Sequence, residues 1–374
     1  MKLNLKQLWF SVLFAVLASP ALIYAGEHET HESHEENSAH HEGPINTSKA
    51  IDEYKKHHLQ DSYDFTLFSY TSKDNVRKHI GFPLPVILID GGLHVFMSSK
   101  FHHGTEVVES NGNFYKMDHG KIYKTDALGT ITHDEHGHPT NAKPIDLSIT
   151  KNVFGILLAM LLLLFMFIKL ARSYKTNKVP KGFVRFLEPL VIYVRDDIAV
   201  PNLGHKAKKF LPYLLTVFFY IWILNLLGMT PLGFNVTGNL SITVALTVFT
   251  FLIVQFSANF DYWKHIFWMP GVPIPMKIIL MPIEVLGIFT KPFSLLIRLF
   301  ANMTAGHMLV MSLVALIILM KDQFGQVGSF SLSFVLSSFI FLIEFLVAFL
   351  QAFIFTMLSA VFISLAVQDH HDEH

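Results

Sequence analysis

Long apolar runs, separated by short polar segments, fill the chain beyond about residue 145. A membrane-spanning helix needs about 20 consecutive apolar residues. The last two runs would make helices of about 58 Å and 56 Å at 1.5 Å per residue, against a hydrocarbon core of about 30 Å. The pattern therefore predicts an all-α membrane protein with five crossings, the last two forming a long tilted hairpin that turns near Gly325. The predicted spans are 153–170, 210–227, 242–258, 282–321 and 330–367.

Basic residues set the predicted orientation. The first span is followed by a cluster of lysine and arginine residues between positions 169 and 181, which is typical of a cytoplasmic end. Residues 184–197 alternate apolar and charged positions at helical spacing, which predicts a helix lying in the cytoplasmic interface. We therefore expect the first half of the chain outside the cytoplasm and the tail 369–374 inside it.

The first half is polar and divides into three predicted segments. Residues 1–25 have the lysines, apolar core and small residues of a secretory signal peptide, with a retained N-terminal anchor as the alternative. Residues 26–43 are a His- and Glu-rich tract that we interpret as a disordered linker. The alternative for this tract is weak metal binding through His28, His31 and His34.

Residues 44–147 predict a small extracytoplasmic domain with short antiparallel strands. A Gly-Gly pair stands between two apolar runs in 85–97, and a second turn signal interrupts 113–125. Both patterns are typical of β-hairpins. The sequence assigns no function to this domain, and the remaining segment, 148–368, is the predicted membrane domain.

Composition removes several classes of function. The chain is 51% hydrophobic and only 16% charged, which fits a membrane protein. Its net charge of zero suggests no nucleic-acid partner, and the absence of cysteine excludes thiol catalysis. No phosphate-binding Gly-Lys-Ser/Thr loop occurs, so we expect no ATP-hydrolysing site and no cofactor.

The predicted hairpin carries polar residues that are costly in a bilayer. Its first helix contains Glu284, Arg298, Asn302 and His307, together with Lys291. Ionisable residues inside a span are functional candidates by default. Folding the hairpin near Gly325 brings Glu344 to the depth of His307, and Gln351 to within one turn of Arg298 and Asn302. These side chains are therefore expected to lie together, with Arg298 between two polar ends of the helix.

Three segments resemble subunit a of the F-type ATP synthase, in its bacterial form. They are LLIRLFANMTAGHMLV (295–310), FLQAFIFTMLSAVFISLA (349–366) and VRDDIAVPNLGHKAKKFLPYLLTVFFYIWILNLLGMTP (194–231). The resemblance implies that Arg298 is the essential arginine, with Gln351 and Asn302 as polar partners nearby. It also assigns Glu284 to the cytoplasmic half-channel. His307 and Glu344 fall on the outer half-channel positions, in the order His then Glu rather than the reverse order frequent in bacteria.

The same resemblance implies partners, a location and a non-catalytic role. The expected partners are a c-ring of subunit c, the subunit b stator stalk, the remaining ATP synthase subunits and the lipid bilayer. The expected location is the bacterial inner membrane, and the transported ion is expected to be H⁺, with Na⁺ as the alternative.

Two other hypotheses are an independent ion channel or secondary transporter, and a membrane-anchored metal-binding protein. Neither of them explains the hairpin residues as well.

Overall fold

The computed structural model describes residues 60–71, 77–134, 139–176, 182–230, 234–269 and 271–368. The predicted signal peptide, the His/Glu-rich tract with His28, His31 and His34, and the tail 369–374 lie outside the described residues. Within the described ranges, no group of three or more His, Asp or Glu side chains is arranged to hold a metal ion.

In the described residues before the first span there are eight short strands, and we call this part the strand region (61–147). They build three small antiparallel sheets, ordered β1-β2, β4-β3-β8 and β5-β6-β7. The strands are β1 (Asp64–Thr71), β2 (Arg77–Pro83), β3 (Pro85–Ile89), β4 (Leu93–Met97), β5 (Val108–Ser110), β6 (Asn113–Asp118), β7 (Lys121–Thr125) and β8 (Ile145–Asp146).

Both predicted hairpins are confirmed. In β3-β4 Ile89 pairs with Leu93, so Gly91 and Gly92 lie in the connecting turn. In β6-β7 Asp118 pairs with Lys121, which leaves a two-residue turn of His119 and Gly120. Both turn residues have positive φ, 45° and 74°, as the favoured two-residue hairpin turn requires.

The second half is helical. Its described residues contain five segments long and apolar enough to cross a membrane, which confirms the predicted fold class. The segment predicted as interfacial runs almost continuously into the second span, because Pro201 lies inside a helix and only Gly204, with φ 51°, interrupts it. The helices are α1 (Lys151–Thr176), α2 (Phe183–Tyr193), a π-helical stretch Val194–Ala199, α3 (Val200–Leu203), a 3-10 turn Gly204–Lys206, α4 (Ala207–Gly228), α5 (Leu240–Ser257), α6 (Phe260–Phe267), α7 (Ile274–Leu319) and α8 (Lys321–Val367).

The long hairpin is formed by α7 and α8. Helix α7 continues through Pro282 and Pro292, and the chain reverses between Met320 and Gly325. Gly325 is the one residue with non-helical angles inside α8, at φ 69° and ψ 172°. Glycine adopts such angles without the steric penalty that a side chain would bring, so the turn forms where the sequence predicts it.

One continuous core joins the helices and reaches the strand region. Helices α1, α2, α4 and α8 supply most of its fully buried apolar side chains. Phe65 of β1 packs against Phe154 of α1 and Phe234 of the α4–α5 connection, with ring centroids 5.5 and 5.2 Å apart. The strand region is therefore seated on the helical bundle at the start of α1.

The end of α8 is fixed by polar contacts to other helices. The Asn259 side chain before α6 donates to the Val367 carbonyl at 3.1 Å, and Lys206 donates to the same oxygen. Tyr213 of α4 donates its hydroxyl to Thr250 of α5 at 2.8 Å. These bonds satisfy helix-end and side-chain groups that water would not reach inside the bundle.

Candidate functional site

Two cavities lie along one stripe of α7, where this helix packs against neighbouring helices. The first, the His307 cavity, has a volume of about 50 Å³. Its lining comes from α4, α7 and α8 and includes Asn225, Asn302, His307, Glu344 and Gln351. The second, the Lys291 cavity, has a volume of about 20 Å³ and is lined by residues of α5, α6, α7 and α8.

An amide pair joins the two helices of the hairpin in the His307 cavity. The Asn302 Nδ2 group donates to Gln351 Oε1 at 2.9 Å. Gln351 is only 3% exposed, so its side chain must find a partner within the protein. This bond confirms that Asn302 and Gln351 lie at the same depth, as the folded hairpin predicts.

Glu344 enters the same cavity because α7 has a glycine opposite it. A Cβ atom added to Gly306 would lie 2.6 Å from Glu344 Oε1, closer than real Cβ atoms approach oxygen. The Oε1 atom is buried and has no hydrogen-bond partner in the part of the chain that the structure describes. A buried water needs about 10–15 Å³ of such space, so the cavity can hold several hydrogen-bonding waters beside this carboxylate and His307.

A third amide lies on the α4 side of the His307 cavity. The Asn225 Nδ2 group donates to the Ala348 carbonyl at 3.4 Å, and Asn225 Oδ1 accepts from the Thr237 hydroxyl at 3.1 Å. Asn225 is 5% exposed. Sequence reasoning missed it, although a lone amide inside the otherwise apolar 210–227 run was an available signal.

The Lys291 cavity has a different chemistry. Its polar lining includes Thr250, Gln255, Tyr262 and Lys291. The Lys291 ammonium lies 5.8 Å from the centre of the Phe362 ring, within reach of a cation–π interaction. Sequence reasoning missed Gln255 and Tyr262, which belong to a span and a short helix rather than to the hairpin.

Glu284 lies near the Lys291 cavity but is not part of its lining. Burial raises the pKa of the Tyr262 phenol above its ordinary value, and the Glu284 carboxylate raises it further. Tyr262 and Glu284 are therefore close enough to interact electrostatically. The structure brings Asn302, His307, Glu344 and Gln351 together at one cavity and places Glu284 apart from them.

Arg298 lies on α7 between the two cavities. Leu295 lines the Lys291 cavity and Leu299 lines the His307 cavity, and each is 1% exposed. The Arg298 side chain is half-buried. No hydrogen bond or ion pair links its guanidinium to any residue of the described ranges. A guanidinium carries five N–H donors and a permanent charge, so this arginine is available to an anion from outside the chain.

The open side of the hairpin is apolar around these polar groups. On the face of α7 that carries Arg298, Ala301, Ala305 and Leu309 are exposed, Leu309 at 44%. Asn302 is also exposed on this side, beside half-buried Arg298. A membrane protein can present such apolar side chains to lipid, but the guanidinium of Arg298 among them needs a polar partner.

Comparison with known proteins agrees with this architecture. A family model described as the ATP synthase A chain matches residues 153–364, and a domain of unknown function, DUF8433, matches residues 54–147. Subunit a 2 of ATP synthase from Chlorobaculum tepidum is 48% identical over 239 residues, which are 61% of this chain and 66% of the relative. Subunit a from Chloroherpeton thalassium is 37% identical over 311 residues, which are 78% of this chain and 90% of the relative.

A third relative, ATP synthase subunit a from the Anaeromyxobacter dehalogenans strain 2CP-C, is 44% identical over 239 residues, covering 62% of this chain and 61% of the relative. The family match covers most of the helical part, including Arg298, the His307 cavity and the lining of the Lys291 cavity except Leu365. The predicted resemblance is thereby confirmed, and the chain belongs to the family of ATP synthase subunit a.

Proposed function

We propose that this chain is the static Fo subunit that carries protons between the two sides of the membrane and a rotating c-ring. In this function it performs no chemistry on ATP. The His307 cavity serves as the outer half-channel, and the Lys291 cavity with Glu284 serves as the cytoplasmic one. Arg298 separates the two paths and faces the carboxylates of the ring.

The observation that carries the proposal is the position of Arg298 on the open apolar side of the hairpin. It stands between two cavities, near the exposed Asn302, and no acidic side chain of the described ranges pairs with it. Facing lipid alone, such a charge would cost at least about 2.5–3.5 kcal/mol. A partner helix with a buried carboxylate would satisfy both the charge and the apolar surface around it.

The two cavities support separate routes to that carboxylate. The His307 cavity combines an imidazole, a carboxylate and amides, and it has room for water. Histidine suits proton relay because its unperturbed pKa is about 6.5. The Lys291 cavity lies on the other side of Leu295 and Leu299, which are buried and apolar. Protons therefore have no polar passage between the cavities along this stripe and must travel on the ring.

In the proposed cycle, a proton passes from His307 and Glu344 to an ionised ring carboxylate. The neutral carboxyl can then face lipid cheaply, whereas the ionised form cannot. After almost a full turn of the ring, the carboxyl loses its proton near Glu284 and passes Arg298 as an anion. Each proton crossing supplies about 2.3 kcal/mol per 100 mV of membrane potential.

Arginine suits position 298 because its charge survives desolvation, with an ordinary pKa above about 12. A lysine there can lose its proton when desolvated. It would then open a path between the half-channels that does not turn the ring.

The remaining proposals concern location, partners and ion. The chain lies in the bacterial inner membrane, with the strand region outside and the end of α8 in the cytoplasm. Its partners are the c-ring, the subunit b stalk and the other ATP synthase subunits. We assign H⁺ rather than Na⁺ as the ion, and transport that does not depend on added Na⁺ is the expected result.

The test uses the whole complex in inverted membrane vesicles, with proton pumping followed on addition of ATP. We expect Arg298→Ala and Arg298→Lys to reduce coupled pumping to background while the c-ring still co-purifies with the chain. The matched control is Arg195→Ala. Arg195 pairs with the adjacent Asp196 at 2.6 Å, and both side chains are partly exposed, so this variant should pump normally.

Two results would overturn the proposal. One is ATP-driven pumping by Arg298→Ala vesicles at the rate of the control. The other is purification of the intact chain from its membrane without any c-ring.

A further inference from the structure

The sheet β4-β3-β8 has one face packed into the strand region and a second, apolar face. Val86 and Leu88 of β3 point into the core of the strand region together with Phe96 of β4. The members of the second face follow from the strand register, because paired residues share a face and side chains alternate along each strand. They form three rows across the sheet, which we call the apolar face: Leu93–Ile89–Ile145, Val95–Ile87–Leu147 and Met97–Pro85–Ile149.

All nine side chains of the apolar face are apolar, although most of them are exposed. A sheet with one buried face normally alternates apolar and polar residues along each strand, but β3 is apolar at all five positions. Leu93 is 62% exposed and Val95 59%. Four further members are also exposed: Ile89, Met97, Ile145 and Leu147. A contiguous apolar patch of this kind marks a contact with a protein or a membrane.

The apolar face begins where the first span begins. Ile149 lies two residues before Lys151, the first residue of α1. The Lys151 N–H donates to the Ser62 carbonyl at 2.8 Å, and the Asn152 N–H donates to Asp61 Oδ1 at 3.0 Å. These two bonds join the strand region to the first turn of α1, so the height of the sheet is tied to that of the helix.

The charges of α1 indicate how deep this junction lies in a bilayer. After Lys151 the next charged residue of α1 is Lys169, which is exposed. A hydrocarbon core of about 30 Å takes about 20 helical residues, and about 20 residues before Lys169 is Ile149. The row that contains Ile149 therefore lies at the edge of the hydrocarbon core, and a tilt of α1 would place it deeper.

The other two rows lie further out, by distances that the strand geometry limits. Each row is two residues beyond the last, which is at most about 6.8 Å along an antiparallel strand. The headgroup layer outside the hydrocarbon core is about 5–8 Å thick. The row of Ile87 therefore lies within this layer at any inclination of the sheet. The row of Ile89 lies at most about 14 Å out, and the exposed Lys143 follows it along the chain.

We propose that the apolar face rests on lipid, in the leaflet at the N-terminal end of α1, as a second and monotopic membrane contact of this chain. Helix α1 presents Leu157, Leu161 and Phe165 on its exposed side, so the apolar face extends a surface that lipid already covers. Protein partners exchange about one hydrogen bond per 100–200 Å² of interface, whereas no side chain of this face can donate or accept one. The inference requires only that α1 spans the membrane and does not depend on the proposed proton path.

The test uses spin labels on the whole complex in liposomes. Because the chain contains no cysteine, Val95→Cys places one label on the middle row, and the wild-type complex treated with the same reagent gives the background. Collisions of the nitroxide are measured with oxygen, which concentrates in hydrocarbon, and with a polar nickel chelate, which stays in water. Co-purification of the c-ring shows that each labelled variant has assembled.

Two further positions of the chain serve as references. Leu161→Cys lies on the exposed side of α1 and reports lipid, whereas Leu128→Cys, 88% exposed in a turn after β7, reports water. We expect the label at Val95 to lose its nickel collisions to the level of Leu161 and to gain the oxygen collisions of that site. Labels at Met97, Val95 and Leu93 should show rising nickel collisions in that order, because their rows lie successively further from the hydrocarbon.

Two results would overturn the inference. Nickel collisions at Val95 equal to those at Leu128 would place the apolar face in water. Collisions with neither reagent would mean that protein covers the face, whether another subunit, a second copy of this chain or residues outside the described ranges. If the label at Val95 prevents assembly, the same comparison is made at Leu93, the most exposed position of the face.

Discussion

The two cavities of α7 differ in size and in the position of their acidic group. The His307 cavity, at about 50 Å³, has Glu344 in its lining together with amides and an imidazole. The Lys291 cavity, at about 20 Å³, has a lysine and a tyrosine in its lining, and Glu284 lies outside that lining. The proposed outer path therefore holds its acid within the packed bundle, whereas the cytoplasmic path holds its acid at the rim.

This difference predicts how well each cavity tolerates amino-acid substitutions. A carboxylate packed into a cavity lining depends on the shape of its neighbours, because interiors are close-packed and a single methyl group displaces its surroundings. A carboxylate at a rim is freer to adjust. Steric substitutions should therefore be more damaging around the His307 cavity, and removal of charge should be the more informative change near the Lys291 cavity.

The largest of these effects is expected for Gly306→Ala. The new Cβ would lie 2.6 Å from Glu344 Oε1, so the carboxylate must move away from its place in the His307 cavity. A displacement of about 1 Å in a reacting group can cost about 100-fold in rate. We expect ATP-driven proton pumping in vesicles to fall at least about tenfold.

The matched control for this variant is Gly287→Ala on the same helix. A Cβ at Gly287 would meet no atom within 4 Å, and alanine is the better helix former. Equal losses in the two variants would show that α7 tolerates no added methyl group anywhere, which would remove the contrast between the cavities.

Much of the hairpin could be predicted from the sequence because its constraints are strong. The length of the apolar runs, the glycine at position 325 and the polar residues at matching depths together fix how α7 and α8 face each other. The Asn302–Gln351 bond follows from that arrangement. The contribution of Gly306 could not be predicted, because it depends on the distance between two packed helices rather than on any residue pattern.

Other helices supplied groups that the sequence did not reveal. Asn225 and Gln255 are single amides within apolar runs, and Tyr262 lies among aromatic residues of α6. Their role depends on which face of each helix meets α7. Periodicity is uninformative there because the spans are apolar on nearly every side. The contact between Asp61 and α1 was likewise beyond prediction, since it joins a strand region to a span without any shared pattern.

A second and smaller effect is expected at the Lys291 cavity. Glu284→Gln removes the acidic group from the proposed cytoplasmic path and should slow pumping by about tenfold. This loss is smaller than the roughly 100-fold of a fully positioned proton-transfer group, because Glu284 lies outside the cavity lining. Tyr262→Phe should change the rate by less than about twofold, because the raised pKa of this phenol keeps it neutral near pH 7. Both rates can be measured in the same vesicles.

The result that would contradict this assignment is a larger loss for Tyr262→Phe than for Glu284→Gln. In that case the phenol, rather than the carboxylate, would carry the proton on the cytoplasmic side. The two cavities would then differ in the kind of group that they use and not only in its position.

The smallest effect concerns the amide pair of the His307 cavity. Asn302→Leu and Gln351→Leu should each slow pumping about fivefold, since each leaves the other amide without its 2.9 Å partner, at a cost of about 1 kcal/mol. Because both variants remove the same bond, the double variant should be no slower than the slower single one.

Ser333→Ala is the control for this prediction. It removes a bond to the Leu313 carbonyl, which also joins α7 and α8 but lies away from the cavity, and it should leave the rate unchanged. Losses that simply multiply in the double variant would mean that the two amides act separately on the ring or the proton path, and that their bond does not set the arrangement of the His307 cavity.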